Sequence, residues 1–182
     1  TCTERWVFEP TEHDLLEKRE GTVIPVAVLD FGVKRNILRE LYRRGCEVTV
    51  LPAKTPAKEV LSGNWAGILA SNGPGDPAAT TYGVELIKEL YASWDRPLFG
   101  ICLGHQLMSL AAGAKTFKLP FGHRGSNHPV RRESDKTVEI TSQNHGFAVE
   151  PGGLGNGFVI THINLNDETV EGIEHEARPI FS

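Results

Sequence analysis

No run of about eighteen apolar residues occurs in the sequence. The longest, Val23–Leu29, is interrupted by Pro25, so a membrane-spanning helix is excluded on length. Cysteine is scarce and odd in number. Cys2, Cys46 and Cys102 form no Cys-x-x-Cys pair, so neither zinc-ligand spacing nor a redox dithiol is present. Three cysteines cannot close a disulfide framework, and the reducing cytoplasm is the expected compartment. Positive charge is in deficit: 19 Lys and Arg against 23 Asp and Glu leave a net charge of −4. That balance argues against nucleic acid or an anionic membrane as the main partner. The opening Thr-Cys-Thr-Glu-Arg-Trp has no basic region, no apolar core and no initiator Met. It reads as an internal cut in a longer chain, not as a signal peptide.

What is present is ordinary for a globular domain: 182 residues, 40% hydrophobic and 23% charged, enough for one core plus a short arm. Residues 1–25 read as the arm or interdomain linker, with Glu12, Asp14, Glu17, Lys18, Arg19 and Glu20 crowded together. Residues 26–182 read as the domain. Val26–Asp30 is a continuous apolar run, the mark of a strand buried on both faces. Lys34–Arg44 follows with helical spacing, closed by Gly45. Strands at Glu47–Leu51, Ala66–Ala70 and Pro97–Ile101 alternate with helices at Pro56–Leu61, Val84–Trp94 and Leu103–Ala112. This rhythm predicts an α/β fold: an open, mostly parallel sheet with helices on both faces, flavodoxin-like. Beyond Ala114 short strands at Lys115–Leu119, His128–Arg132, Thr137–Thr141, Phe158–Ile163 and Val170–His175 predict an antiparallel hairpin extension, with turns at Gly122–Gly125 and Pro151–Gly157.

Gly100-Ile-Cys102-Leu-Gly104 carries the strongest chemical signal. It places a cysteine on a strand-to-helix turn with glycine two residues away on each side, the nucleophile-elbow arrangement with Cys in place of Ser. So tight a turn leaves no room for flanking Cβ atoms and pushes the central side chain outward. The helix N-terminus after it is expected to lower the thiol pKa from about 8.5 and to aim the Leu103 N–H at an oxyanion. A buried structural cysteine is the alternative reading. Ser71-Asn-Gly-Pro-Gly-Asp-Pro77 lies at the carboxyl end of the third strand, where open α/β sheets bind ligands. Its Gly-Pro-Gly turn can present backbone N–H groups to an anion, although it lacks the phosphate-loop ending. Gln143-Asn-His-Gly-Phe147 is a third candidate. Its His145 fits a base, a turn residue or a satisfied polar group. None of the seven histidines (His13, His105, His123, His128, His145, His162, His175) has helical metal-ligand spacing, and no metal is expected. His105, one turn into the helix, is expected to project away from the thiol.

Together these segments resemble the class I glutamine amidotransferases. Leu29-Asp-Phe-Gly-Val-Lys-Arg-Asn36, Phe121-Gly-His-Arg-Gly-Ser-Asn-His-Pro129 and Thr141-Ser-Gln-Asn-His-Gly-Phe-Ala148 are similar to the carbamoyl-phosphate synthetase branch of that family. The resemblance covers Val26–Ser182. It implies that Cys102 attacks the side-chain amide of glutamine, with the backbone N–H groups of Leu103 and Gly73 holding the oxyanion. Gly73, Gly75, Leu103, Gln106, Asn144, Gly146 and Phe147 would seat the glutamine. It further implies ammonia transfer to a large synthetase subunit or domain that uses bicarbonate and ATP, with no cofactor in this domain.

The family's base and its orienting partner are a His and a Glu in a His-Pro-Glu segment shortly after a Pro-x-Phe-Ser stretch. Here that stretch is Pro179-Ile-Phe-Ser182. The resemblance therefore places the base beyond residue 182, and none of the seven histidines is assigned that role. Three other readings compete. One is a class I amidotransferase serving another synthetase. Another is a silent regulatory module, against which the intact Cys102 weighs. The third is a nucleotide-binding domain, which lacks its fingerprint after Asp30.

Overall fold

The structure, a computed structural model, describes residues 1–14, 21 and 23–182. The part of the arm at residues 15–20 and 22 lies outside the described residues. Four parallel strands form the centre: β2 (Ile24–Asp30), β3 (Cys46–Pro52), β4 (Gly67–Ala70) and β5 (Leu98–Gly100). They are ordered β3-β2-β4-β5 and connected through α1 (Arg35–Arg43), α2 (Ala57–Ser62) and α3 (Thr81–Ser93). Alternate side chains of β2 feed two separate cores. Ala27 and Leu29 pack with Leu51, Ile68, Ile87, Leu90 and Leu107, while Val26 and Val28 pack with Val48, Val50, Leu69, Leu38 and Phe8. Burial on both faces is the reason the strand reads as an unbroken apolar run.

The arm does more than lie on the domain. Its β1 (Trp6–Val7) adds an antiparallel edge strand to β3. Asp14, buried in a 3-10 turn, accepts hydrogen bonds from Arg35 Nη2 at 2.6 Å and Arg39 Nε at 2.5 Å on α1.

After α4 (Leu103–Ala111) the chain makes β6 (Thr116–Arg132), β7 (Val138–Val149), β8 (Phe158–Asn164), β9 (Val170–His175) and β10 (Ile180–Phe181). Here the expected hairpin extension needs correcting. Strand β8 pairs with both β6 and β9, and β9 also pairs with β7, so the antiparallel part closes into a small barrel. The expected turn at Gly122–Gly125 is instead a pair of register shifts inside the long β6, with the true reversal beyond Arg132. Glycines at positive φ, 72° at Gly122 and 153° at Gly125, serve bulges as readily as turns. Gln143–Phe147 likewise lies within β7, not in a loop. The last strand, β10, inserts between β9 and β5 and runs parallel to β5, which joins barrel and open sheet into one ten-stranded sheet.

Candidate active site

Cys102 occupies the turn between β5 and α4 with φ 55° and ψ −107°, a combination that L residues rarely adopt. Such a backbone costs about 1–3 kcal/mol and persists only where the surroundings impose it. They do so here through close packing on both sides. A Cβ at Gly100 would lie 2.9 Å from the Gly104 carbonyl carbon and the His105 nitrogen. The Gly104 N–H donates to the carbonyls of Ile101 and Ser71, at 2.9 and 3.1 Å, and the Ile101 N–H to that of Ala70 at 3.0 Å. The elbow is thereby tied to the end of β4.

The Ser71–Pro77 loop is stitched to the β2–α1 turn on its other side. Ser71 Oγ accepts from the Phe31 N–H at 3.0 Å, Asn72 Oδ1 accepts from the Lys34 N–H at 3.0 Å, and Asn72 Nδ2 donates to the Gly32 carbonyl at 3.1 Å. Gly73 is wedged against Phe31 and Leu103, where a Cβ would come within 2.8 Å of the Phe31 carbonyl carbon. Its backbone N–H and that of Leu103 both favour the charged form of the Cys102 thiol. From the opposite wall, the Asn144 carbonyl oxygen accepts from Sγ at 3.8 Å.

A cavity of about 620 Å³ opens above the sulfur. Of the residues singled out from sequence, Cys102, Gly73, Gln106, Asn144 and Phe147 line it. Leu103 contributes its N–H while its side chain is buried in the core. Gly75, at φ 101°, and Gly146 are not among the lining residues. Gln106 is held in place by donating from Nε2 to the Phe147 carbonyl at 2.7 Å.

The expected lowering of the Cys102 pKa is not found. Burial pushes the thiol above its ordinary value. It outweighs the Leu103 N–H, the positive charge of Lys34 and the Gly73 N–H, and the negative charge of Glu171 adds to the rise. Two donors and one cation fall short because the elbow sits at the floor of a pocket from which water is partly removed.

His105 also lines the cavity, but its Nδ1 meets Ser182 Oγ at 2.8 Å, and burial lowers its pKa to about 4. His145 is engaged through both ring nitrogens, Nδ1 with the Phe147 carbonyl at 2.7 Å and Nε2 with Gln143 Oε1 at 3.1 Å. Burial would lower its pKa. The hydrogen bond and charge of Glu171 outweigh that and hold the ring above its usual value. Lys34, Glu171 and Ser182 are cavity residues to which the sequence assigned no role. Lys34 lies in the Leu29–Asn36 stretch and Ser182 in Pro179–Ser182, whereas nothing local marks Glu171, an acid in the alternating pattern of β9.

The family model described as glutamine amidotransferase class-I matches residues 27–182. The carbamoyl phosphate synthase small chain of Syntrophotalea carbinolica is 53% identical over 186 residues, covering 100% of this chain and 49% of that protein. The same-named chain of Chlorobaculum tepidum is 58% identical over 158 residues, covering 86% and 43% respectively. This chain thus spans about half the length of the curated relatives it matches. Among solved structures, a glutamine amidotransferase from Thermotoga maritima superposes with a TM-score of 0.63 at 17% identity, over 87% of this chain and 73% of that one.

Proposed function

This chain belongs to the class-I glutamine amidotransferase family, and on that premise we propose that it is the glutaminase part of a carbamoyl-phosphate synthase small chain. Residues 26–182 form the amidotransferase domain and residues 1–25 its connecting arm. The substrate is L-glutamine, the partner is a large synthetase subunit or domain using ATP and bicarbonate, the domain itself needs no cofactor, and the setting is the cytoplasm.

One observation carries this reading: a cysteine held at φ 55° on a strand-to-helix turn, at the cavity that Gly73 also lines, with the backbone N–H groups of Leu103 and Gly73 favouring its thiolate. The Cys102 sulfur attacks the side-chain amide carbon of glutamine. The oxygen that becomes negative lies between the two N–H donors, the arrangement that stabilises an acyl-transfer intermediate. Collapse breaks the C–N bond and expels ammonia, and water then releases glutamate from the thioester. Gln106, Asn144 and Phe147, which line the cavity, seat the amino-acid end of the substrate, with Gly75 and Gly146 acting from the adjoining loop and strand.

The amide nitrogen leaves only when protonated, so an acid-base group must stand beside the sulfur. Among the described residues, His105 turns Nδ1 to Ser182 Oγ and leaves its buried Nε2 without a partner, and both ring nitrogens of His145 are engaged away from the sulfur. The family's His-Pro-Glu segment supplies the group instead. Strand β10 supports this, because it lies beside β5 and parallel to it. Residues continuing past Ser182 would emerge at the same sheet edge as Cys102.

The test is glutamate release, together with labelling by a glutamine-analogue electrophile. The full-length protein is expected to hydrolyse glutamine, and Cys102→Ser to abolish that while sparing synthesis from free ammonia in the whole enzyme. Residues 1–182 alone should be slower by the 10²–10⁴-fold that general acid-base catalysis typically supplies. Equal rates from both lengths would place the base within 1–182. An electrophile that leaves Cys102 unmodified would favour the regulatory-module reading.

A further inference from the structure

Beneath the cavity, His123 on β6 stands directly opposite His145 on β7, and Glu171 on β9 reaches both. Cross-strand partners are separated by about 4.5–5.5 Å at Cβ, so the two imidazoles are brought together by strand register alone. Their ring centroids lie 4.8 Å apart at 79°. Glu171 Oε1 is 3.2 Å from His123 Nδ1, and Oε2 is 3.5 Å from His145 Nε2.

The outer nitrogens decide which atoms carry hydrogen. His145 Nδ1 faces the Phe147 carbonyl at 2.7 Å, and His123 Nε2 faces Asp167 Oδ2 at 2.7 Å. Both partners only accept, so both outer nitrogens donate. In the neutral tautomers that leaves His145 Nε2 and His123 Nδ1 with lone pairs and no hydrogen, although His145 Nε2 faces both Glu171 Oε2 at 3.5 Å and Gln143 Oε1 at 3.1 Å, and His123 Nδ1 faces Glu171 Oε1. Asn164 agrees with this at His123. Its Nδ2 lies 3.4 Å from that Nδ1 and 3.1 Å from Glu171 Oε1. Two imidazole lone pairs and a carboxylate facing one another repel unless something positive sits between them. A proton or a metal ion meets that need.

We propose that His123, His145 and Glu171 form a binding site for a divalent transition-metal ion of the zinc class. Two imidazoles and one carboxylate are an established zinc donor set, and the three ligand atoms lie within 4.8 Å of one another. Bonds of 2.0–2.2 Å in tetrahedral geometry need ligand atoms about 3.3 Å apart, so only a small closing movement between the two rings is required. The supporting shell is already built. Asp167 holds one ring and the Phe147 carbonyl the other, the carboxylate–histidine and carbonyl–histidine contacts that orient metal-bound imidazoles. Glu171 is fixed further by Asn164. His145 and Glu171 line the cavity, which provides an entry path and room for a water as fourth ligand, whereas His123 is buried at 7% exposure. A helix-spacing search of the sequence passes over this site because its ligands come from three strands.

The untagged full-length chain, stripped with a chelator, is dialysed against buffered Zn²⁺, and its visible spectrum is recorded with Co²⁺. One metal per chain is expected. The Co²⁺ spectrum should show the ligand-field bands of a nitrogen–oxygen site and no thiolate charge-transfer band. Asp167→Asn should weaken the affinity by the 10–100-fold typical of outer-shell partners, and Glu171→Gln by at least as much. Both replacements keep shape and hydrogen bonding. No metal above the buffer control, affinity unchanged in Glu171→Gln, or a thiolate band placing the ion on Cys102 would each overturn the proposal. The wild-type stoichiometry and spectrum decide the matter without any variant.

Discussion

Gly104 packs its Cα against the main-chain carbonyl of Ala70, at the end of the neighbouring strand, so tightly that a Cβ would lie 2.7 Å from the carbonyl carbon. Only a residue without a Cβ fits at this position in the first turn of α4. Gly104→Ala is therefore expected to cost about 1–3 kcal/mol, as overpacking in a rigid setting does. It should also displace the elbow. Urea unfolding should show a lower midpoint, and electrophile labelling of Cys102 should slow under conditions where the protein remains folded.

The Cys102 thiol is raised by burial and by Glu171, and held back by Lys34 and two N–H donors. Lys34→Met removes the cation, so the thiol pKa rises further and less thiolate is present at neutral pH. Glu171→Gln removes the opposing charge and moves it down. The pH dependence of alkylation should shift to higher pH in the first variant and to lower pH in the second. Profiles unchanged from wild type in both variants would mean that these charges do not reach the sulfur.

Asp14 carries the attachment of the arm. Arg35, the Thr11 N–H and Arg39 together hold its carboxyl far below the usual carboxylate range, against the opposing effect of burial. A depressed folded-state pKa stabilises the protein above the unfolded value of about 3.9, and that contribution is lost as pH falls from there toward the folded value. Asp14→Asn should speed trypsin cleavage at the exposed Arg5 at neutral pH. The difference in stability from wild type should shrink progressively as the solution is acidified below pH ~4. A constant difference across that range would show that the charge does not matter.

Gln106 is anchored through its amide to the Phe147 carbonyl on the far wall of the cavity. Gln106→Leu keeps the volume but loses this bond, worth about 0.5–1.5 kcal/mol, and should raise KM for glutamine roughly 2–10-fold with a smaller effect on kcat. Steady-state glutaminase kinetics on the full-length protein separate the two. A fall in kcat alone would move Gln106 from substrate seating into the chemical step.

Much of the site was legible because its signals are local. Gly100, Cys102 and Gly104 sit within five residues, and the turn they enforce depends only on the backbone freedom of glycine and the clash a Cβ would cause. The Ser71–Pro77 loop follows a buried strand directly, so its place at the carboxyl edge came from the pattern of the sheet. The barrel was less legible. Glycines at positive φ, as at Gly122 and Gly125, are as consistent with bulges as with turns, and only the pairing of β6 with β7 separates the two.

The sequence by itself determined the two-sided strands, the helices between them and the nucleophile elbow, because apolar periodicity and glycine spacing act within a dozen residues. Tertiary structure alone decided that β8 bridges β6 and β9, and that β10 slots beside β5. It also decided that burial outweighs the helix N-terminus at Cys102, and that His123, His145 and Glu171 converge. Those outcomes depend on strand register and on how much water the closed cavity excludes. At the site both are set by partners distant in the chain, such as His123 and His145, whose separation carries no trace of their meeting in space.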